Sequence, residues 1–145
     1  MDLVRELVIP APPDVVFTHI DDLDAYPAWM TLISEVERLD DDAPAWSVVL
    51  QAQVGPFTRS KRLRMIRTRL DPDRRAVFER SEIDGRRHAM WRLDAELEPA
   101  DGGSLLRMRL FYGGRLWGGP VLERALDAKV AESSERLLRL VAGND

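Results

Sequence analysis

The chain has 145 residues, 45% of them apolar, which is enough to bury the core of one domain. Its net charge of −4 gives no electrostatic reason to expect binding to nucleic acid or to an anionic membrane surface. The absence of cysteine excludes disulfides, thiolate nucleophiles and thiolate metal sites. No apolar run reaches the roughly 20 residues of a membrane-spanning helix, and the charged N-terminus does not resemble a signal peptide. We therefore expect a single cytoplasmic domain over 1–145 with no integral membrane segment.

The first quarter of the chain predicts a strand followed by short helical segments. Residues 3–9 alternate in hydrophobicity, which favours a strand, and the prolines that follow end it. A helix is expected to begin at Asp14. The aromatic segment 25–30 (AYPAWM) is too short to be stable alone, so we expect it to dock on the core.

The rest of the chain predicts more strands and then one long helix. The strands are expected at roughly 33–39, 46–54, 57–70, 75–83, 87–98 and 104–112, separated by turns. From Gly119 to about Ala142, apolar and small residues recur at spacings of three and four, which predicts a helix with one buried side. That side comprises Leu122, Leu126, Val130, Ser133, Leu137 and Val141.

Two Asp-Gly turns predict hairpins with defined registers, because a two-residue type I′ turn fixes the cross-strand partners. A turn at Asp101-Gly102 places Trp91 opposite Tyr112 and Leu93 opposite Leu110 on one face. On the other face that register pairs acidic with basic residues, so both faces agree. A turn at Asp84-Gly85 places Phe78 opposite Trp91, with Arg80 on the same buried face and His88 facing Ser81 outside.

The strand over 57–70 has an inconsistent hydrophobic pattern. Odd positions such as Leu63 and Met65 are apolar at first, whereas even positions such as Ile66 and Leu70 are apolar further on. We predict a β-bulge between Met65 and Ile66, which would change the facing and bend the sheet. The alternative is a regular strand that turns Arg67 and Arg69 into the interior.

Four segments resemble one superfamily: VIPAPPDVVF at 8–17, YPAW at 26–29, SKRLRM at 60–65 and YGGRLWG at 112–118. Together with the order of elements, they resemble the START-related polyketide cyclase/dehydrase and lipid-transport superfamily, which has the fold of the birch-pollen allergen. The turn at 40–44 (DDDAP) departs from it, because the plant proteins have a glycine-rich loop there.

The resemblance implies an α+β helix-grip fold. In this fold a seven-stranded curved antiparallel sheet, with two short N-terminal helices, wraps around one long C-terminal helix on its concave face. The resemblance also implies a cavity between sheet and helix, although periodicity alone cannot distinguish a cavity wall from a filled core. The candidate lining residues are Trp29, Phe78, Arg80, Trp91, Leu93, Met108, Leu110, Tyr112, Leu126 and Val130.

Charged residues allow several further hypotheses. A guanidinium on the buried face needs an acceptor, so Arg80 is expected to contact a ligand carboxylate, the neighbourhood of Glu82, or solvent at the cavity mouth. The basic residues between 59 and 69 are interpreted as a solvated strand rather than a nucleic-acid surface, with Glu79, Asp94 and Glu96 of neighbouring strands as partners. Neither histidine suits a general base, and no metal site or cofactor is predicted.

Three functions remain open. The preferred hypothesis is binding or carriage of a hydrophobic small molecule of the lipid, acyl, isoprenoid or polyketide type, by a monomer or homodimer. The second is a cyclase, aromatase or dehydratase that uses Tyr112, Arg80 or Tyr26 to polarise a carbonyl or move a proton. The third is an interaction module like the co-chaperone branch, which would have a collapsed pocket and an apolar patch outside.

Overall fold

The computed structural model describes residues 1–114 and 119–143, which form seven strands and three helical segments. The strands are β1 (Asp2–Ile9), β2 (Ile33–Arg38), β3 (Ala45–Val54), β4 (Phe57–Asp71), β5 (Arg75–Arg80), β6 (Trp91–Ala100) and β7 (Gly103–Tyr112). The helices are α1 (Pro13–Phe17), a 3₁₀-helix (Leu23–Ala28) and α2 (Pro120–Ala142). Residues 115–118 of the quoted segment YGGRLWG lie outside the described part of the chain.

The strands form one antiparallel sheet in the order β1-β7-β6-β5-β4-β3-β2. Neighbours in the sheet are also neighbours in sequence, with the exception of β1, which pairs with β7. The sheet is open and curved, and α2 packs against its concave face through contacts with β3 and β1. This is the predicted helix-grip fold.

The long helix begins where predicted and buries the predicted side. Gly119 precedes it with φ of +51°, and Pro120 occupies the first helical position, where its missing N–H is not needed. Its fully or nearly buried residues are Leu126, Val130, Ser133 and Leu137.

The predicted register of the β6–β7 hairpin is confirmed. Trp91 lies opposite Tyr112 and Leu93 opposite Leu110. The turn type differs from the prediction, because φ is positive at Gly102 but not at Asp101, and a type I′ turn requires both. The register holds because the buried and charged faces select it independently of the turn.

The predicted hairpin at Asp84-Gly85 is wrong. Residues 81–90 form no strand, and the Asp84 carboxylate accepts a hydrogen bond from the Arg86 N–H at 2.9 Å and contacts His88 Nε2 at 2.8 Å. Phe78 therefore lies opposite Leu93 instead of Trp91. A displacement of two residues keeps the same side chains on the concave face, so the predicted facing of Phe78 is correct although its partner is not.

A bulge is present in β4, but further along the strand than predicted. The pairing of β4 with β5 shifts between Arg67 and Arg69, whereas Met65 and Ile66 pair regularly with β3. Arg67 therefore keeps the inward phase, and its Nη1 donates to the Asp21 carbonyl at 2.7 Å. Arg69 is exposed and pairs with Asp71.

Candidate functional site

An apolar cavity of about 30 Å³ lies between the concave face of the sheet and α2. Its lining combines the edge strand β1, the central strands and one residue of α2, Val130. The other lining residues are Leu3, Leu23, Met30, Leu32, Ile33, Val48, Leu50, Leu63, Met65, Trp91, Arg92, Leu93, Met108 and Leu110. Arg92 is the one charged residue among them, and its guanidinium pairs with Glu79 at 3.4 Å. We call this space the inner cavity.

A larger groove of about 200 Å³ opens beside the inner cavity. Its walls come from β3, β4 and the first two turns of α2, and its residues are Leu32, Leu50, Gln51, Ala52, Arg59, Ser60, Lys61, Trp91, Tyr112, Leu122 and Leu126. We call it the outer groove. The two spaces share Leu32, Leu50 and Trp91, so these residues separate the solvent-accessible groove from the interior.

Trp91 has an unusual environment at this boundary. It is 6% exposed, and its indole packs on Tyr112 with ring centroids 4.5 Å apart. Its buried Nε1–H has no hydrogen-bond acceptor among the described residues. Buried donors are nearly always satisfied, so an unsatisfied one beside a cavity is a candidate to bind a ligand oxygen.

Tyr112 is held against the groove by a glycine. A β-carbon at Gly114 would lie 2.5 Å from the Tyr112 hydroxyl and 2.8 Å from the Ala89 side chain. Only glycine leaves room for this ring, which accounts for one glycine of the quoted segment at 112–118.

The structure brings seven of the ten candidate residues to the two spaces and leaves three elsewhere. Trp91, Leu93, Met108, Leu110 and Val130 line the inner cavity, while Tyr112 and Leu126 line the outer groove. Trp29, Phe78 and Arg80 line neither. Whether the seven contact a ligand stays a prediction.

Trp29 and Phe78 belong to a filled part of the core. Phe78 is fully buried and packs edge-on against Tyr26 at 5.7 Å and Trp46 at 5.6 Å, while Trp29 lies 5.0 Å from Tyr26. The Trp29 indole N–H donates to the His19 carbonyl at 2.9 Å. The interpretation as cavity wall fails here because the docked segment around Tyr26 fills the space.

Arg80 is engaged inside the protein. Its side chain is 7% exposed, and Nη2 lies 3.3 Å from the Glu82 carboxylate. The same carboxylate accepts the Arg64 backbone N–H at 2.9 Å, which holds it in place. Of the three expected acceptors, the neighbourhood of Glu82 is the correct one.

The basic strand β4 divides its cations between two faces. Arg62 and Arg64 pair with Glu35 and Asp41, not with the acidic residues predicted from the neighbouring strands. Those residues are occupied elsewhere, since Asp94 and Glu96 both pair with Arg75 and Glu79 pairs with Arg92. Lys61 and Arg59 instead line the outer groove, a role that the sequence analysis missed. This position was predictable from the alternation of the strand, because Lys61 and Arg59 have odd numbers, as do the inward-facing Leu63 and Met65.

Two other ionisable side chains considered for catalysis, Tyr26 and His19, line neither of the two spaces. The Tyr26 hydroxyl is buried and donates to the Ile20 carbonyl at 2.9 Å, and burial raises its pKa well above the ordinary value of 10.0. Burial likewise lowers the pKa of His19. Among the described residues, no carboxylate or imidazole lines either space. Tyr112 is thus the one group of the enzyme hypothesis that lies in the groove.

The model of the polyketide cyclase/dehydrase and lipid transport family matches residues 2–142. The chain belongs to this family. The match spans nearly the whole sequence, in agreement with the resemblance of its segments and with the fold. The family description associates the chain with hydrophobic ligands and with cyclase or dehydrase chemistry, and it identifies neither a ligand nor a reaction.

Solved structures share the fold at low sequence identity. The DR_A0006 protein of Deinococcus radiodurans is 19% identical with a TM-score of 0.70, and 99% of each chain is covered. Ara h 8.0201 is 17% identical with a TM-score of 0.67 and the same coverage of both chains. The TTHA0849 protein of Thermus thermophilus is 16% identical with a TM-score of 0.65 over the whole of both chains. No curated protein matches the sequence.

Within the described ranges, no helix is both long and apolar enough to cross a membrane.

Proposed function

We propose that the protein binds a hydrophobic small molecule in the outer groove and carries its apolar end into the inner cavity. The observation that carries this proposal is the boundary that the two spaces share, formed by Leu32, Leu50 and Trp91, where the Trp91 N–H has no acceptor among the described residues. Burial of apolar surface would supply the affinity, at roughly 25 cal/mol per Å². The Trp91 N–H would orient a ligand oxygen.

The volumes define how such a ligand enters. Typical small-molecule pockets measure roughly 300–1,000 Å³. The groove of about 200 Å³ accepts part of such a ligand directly, whereas the inner cavity of about 30 Å³ must widen. Met30, Met65 and Met108 line the inner cavity. Because methionine side chains are unbranched and flexible, these three residues provide the adaptable wall that widening requires.

The residues that line the outer groove favour ligand binding over the enzyme hypothesis and the interaction-module hypothesis. General acid–base catalysis needs a proton donor and acceptor within reach of the substrate, and Tyr112 has no described carboxylate or imidazole beside it in the groove. The interaction module was expected to have a collapsed pocket; the inner cavity is small, at about 30 Å³, but the groove of about 200 Å³ beside it is open.

A blocking substitution tests the proposal. Leu122 lines the groove and Leu140 is half-buried near the other end of the same helix, so Leu122→Trp and Leu140→Trp form a matched pair. We expect wild type and Leu140→Trp to bind the neutral fluorescent probe N-phenyl-1-naphthylamine, and Leu122→Trp to lose this binding. Equal binding by all three proteins would contradict the groove as the site.

Native mass spectrometry then identifies the ligand class. Protein purified from its own host is sprayed under non-denaturing conditions, and we expect a co-purified organic molecule that is displaced by the probe. The displaced mass assigns the class as lipid, isoprenoid or polyketide.

A further inference from the structure

We infer that the preferred ligand is an amphipathic organic anion, with its carboxylate or phosphate at the groove rim beside Lys61 and Arg59 and its apolar body directed inward. This inference rests on the proposed function and adds the chemical class of the ligand.

Lys61 belongs to the concave face of β4. Side chains alternate along a strand, and Leu63 and Met65, two and four residues further on, are buried in the core. Lys61 pairs with Leu50 and Arg59 with Ala52 across the β3–β4 ladder, and all four residues line the outer groove. The aliphatic stem of Lys61 therefore lies beside an apolar wall of the groove, a position that lets a lysine keep its charged end at the rim.

Arg62 and Arg64, on the convex face of β4, differ from Lys61 because each of them pairs with a carboxylate. Arg62 lies 3.7 Å from Glu35, and Arg64 lies 2.7 Å from Asp41. Lys61 forms no ion pair with any carboxylate in the described ranges, and none of these carboxylates lines the groove. In a chain of net charge −4, the groove rim is a local positive region facing an apolar floor.

This combination matches an amphipathic anion. A purely apolar ligand would leave the Lys61 charge without a counter-ion, and a small inorganic anion would leave the apolar floor exposed. An acyl chain with an anionic end satisfies both. The ion pair at an exposed rim would add a modest affinity increment to the larger contribution of apolar burial.

Paired probes of equal chain length separate charge from burial. We expect wild type to bind decanoate more tightly than 1-decanol. Lys61→Gln should weaken decanoate binding about two- to fivefold, as expected for an exposed ion pair, and leave decanol binding unchanged. Lys61→Glu should weaken decanoate binding further through repulsion. Lys129→Gln on α2 is the control, because it removes the same charge outside the groove. Decyl phosphate in parallel shows which anionic group the rim prefers.

The lysine content allows a direct spectroscopic readout. Lys61 and Lys129 are the two lysines of the sequence, so reductive ¹³C-dimethylation labels two side chains that remain cationic, plus the terminal amine. We expect decanoate to shift the Lys61 methyl resonance and not that of Lys129, and decanol to shift the Lys61 resonance less. Equal affinity for decanoate and decanol, unchanged by Lys61→Gln, would overturn the anionic ligand while leaving hydrophobic binding intact. Failure of wild type to bind either probe would overturn both proposals.

Discussion

Trp91 lines both spaces, and its indole ring carries one polar atom. Its ring packs on Tyr112, while its indole N–H has no acceptor among the described residues. A buried donor without a partner costs about 1–3 kcal/mol relative to a satisfied one. A ligand oxygen that accepts this hydrogen bond would recover part of that free energy, so the residue favours ligands with a carbonyl or similar group near the boundary.

Trp91→Phe tests this role, because phenylalanine keeps an aromatic ring and removes the N–H. We expect the affinity for prodan, a fluorescent naphthalene with a carbonyl, to fall about two- to tenfold, the value of one neutral hydrogen bond. The emission of bound prodan should also shift to shorter wavelength as the donor is lost. Binding of N-phenyl-1-naphthylamine, which has no carbonyl, serves as the control and should change less. An equal loss for both probes would assign Trp91 a packing role alone.

Tyr26 links pH to stability through a raised pKa. Burial, and then the charges of Asp21 and Asp94, raise the pKa of Tyr26 well above 10.0. The native state therefore holds this proton more tightly than the unfolded chain does. Its contribution to stability is complete below pH 10.0 and declines above that value, where tyrosine in the unfolded chain ionises.

Tyr26→Phe should reveal this dependence. Near neutral pH we expect the variant to be about 0.5–1.5 kcal/mol less stable, because the hydrogen bond to the Ile20 carbonyl is lost. At about pH 11 the difference should shrink or reverse, since the variant has no phenol to ionise on unfolding. Urea unfolding followed by circular dichroism at both pH values measures it. Tyr112→Phe is the control: it retains Tyr26, so its alkaline loss of stability should persist. The same difference in free energy of unfolding between Tyr26→Phe and wild type at both pH values would contradict the role of Tyr26.

At the scale of elements, one buried hydroxyl joins α2 to the segment that follows the 3₁₀-helix. Ser133 is fully buried, its Oγ accepts the Thr31 backbone N–H at 2.9 Å, and it donates to the Lys129 carbonyl at 2.7 Å. This explains why a serine occupies the buried side of the helix. An apolar side chain at this position could not accept the hydrogen bond from the Thr31 N–H.

Ser133→Ala should lower the free energy of unfolding by about 1–3 kcal/mol, because the Thr31 N–H then loses its acceptor. Ser134→Ala is the matched control: its Oγ donates only within the helix, to the Val130 carbonyl at 3.1 Å. We expect that variant to remain within about 0.5 kcal/mol of wild type. Denaturant unfolding of the three proteins measures both effects, and equal losses would remove the special role of Ser133.

The elements also show how far sequence patterns predict this fold. The β6–β7 register was predictable because two faces of the hairpin had to agree. The hairpin at Asp84-Gly85 was not, because side-chain bonds of Asp84 and Glu82 compete with strand pairing, and such competition leaves no periodic pattern. The hydrophobic pattern predicted that β4 contains a bulge, but it predicted the wrong position. The polar Arg67 faces inward because it donates to the Asp21 carbonyl, and this contact is not visible in the pattern.

The site was less predictable than the fold. Alternation correctly placed Trp91 and Met108 on the concave face, but it could not distinguish the cavity from the filled region around Phe78. That distinction depends on where the segment around Tyr26 docks, which is a tertiary event. Lys61 was missed because a cation in a basic strand is usually solvated, whereas its phase along the strand was the better indicator.

At the scale of the whole molecule, ligand occupancy should be measurable as stability. A ligand that binds the native state alone stabilises it by about 2.7 kcal/mol at one hundred times its dissociation constant. We expect decanoate to raise the urea midpoint of wild type in this concentration-dependent manner. Leu122→Trp, whose groove is filled, should show no such rise. A rise in both proteins would place the binding site outside the groove.

The pairing of β1 with β7 has a consequence for the protein as the ribosome makes it. Every other neighbouring pair in the sheet is local in sequence and can form as soon as its second strand emerges. β1 is synthesised first but has no partner until β7 follows, and closing this long loop is entropically the most demanding step. During translation the apolar residues of β1 therefore stay exposed to solvent until β7 has formed. Exposed apolar surface on a nascent chain promotes aggregation, which is why chaperones act at this stage. Slow codons or pauses before β7 would prolong that exposure, whereas pauses after it would not.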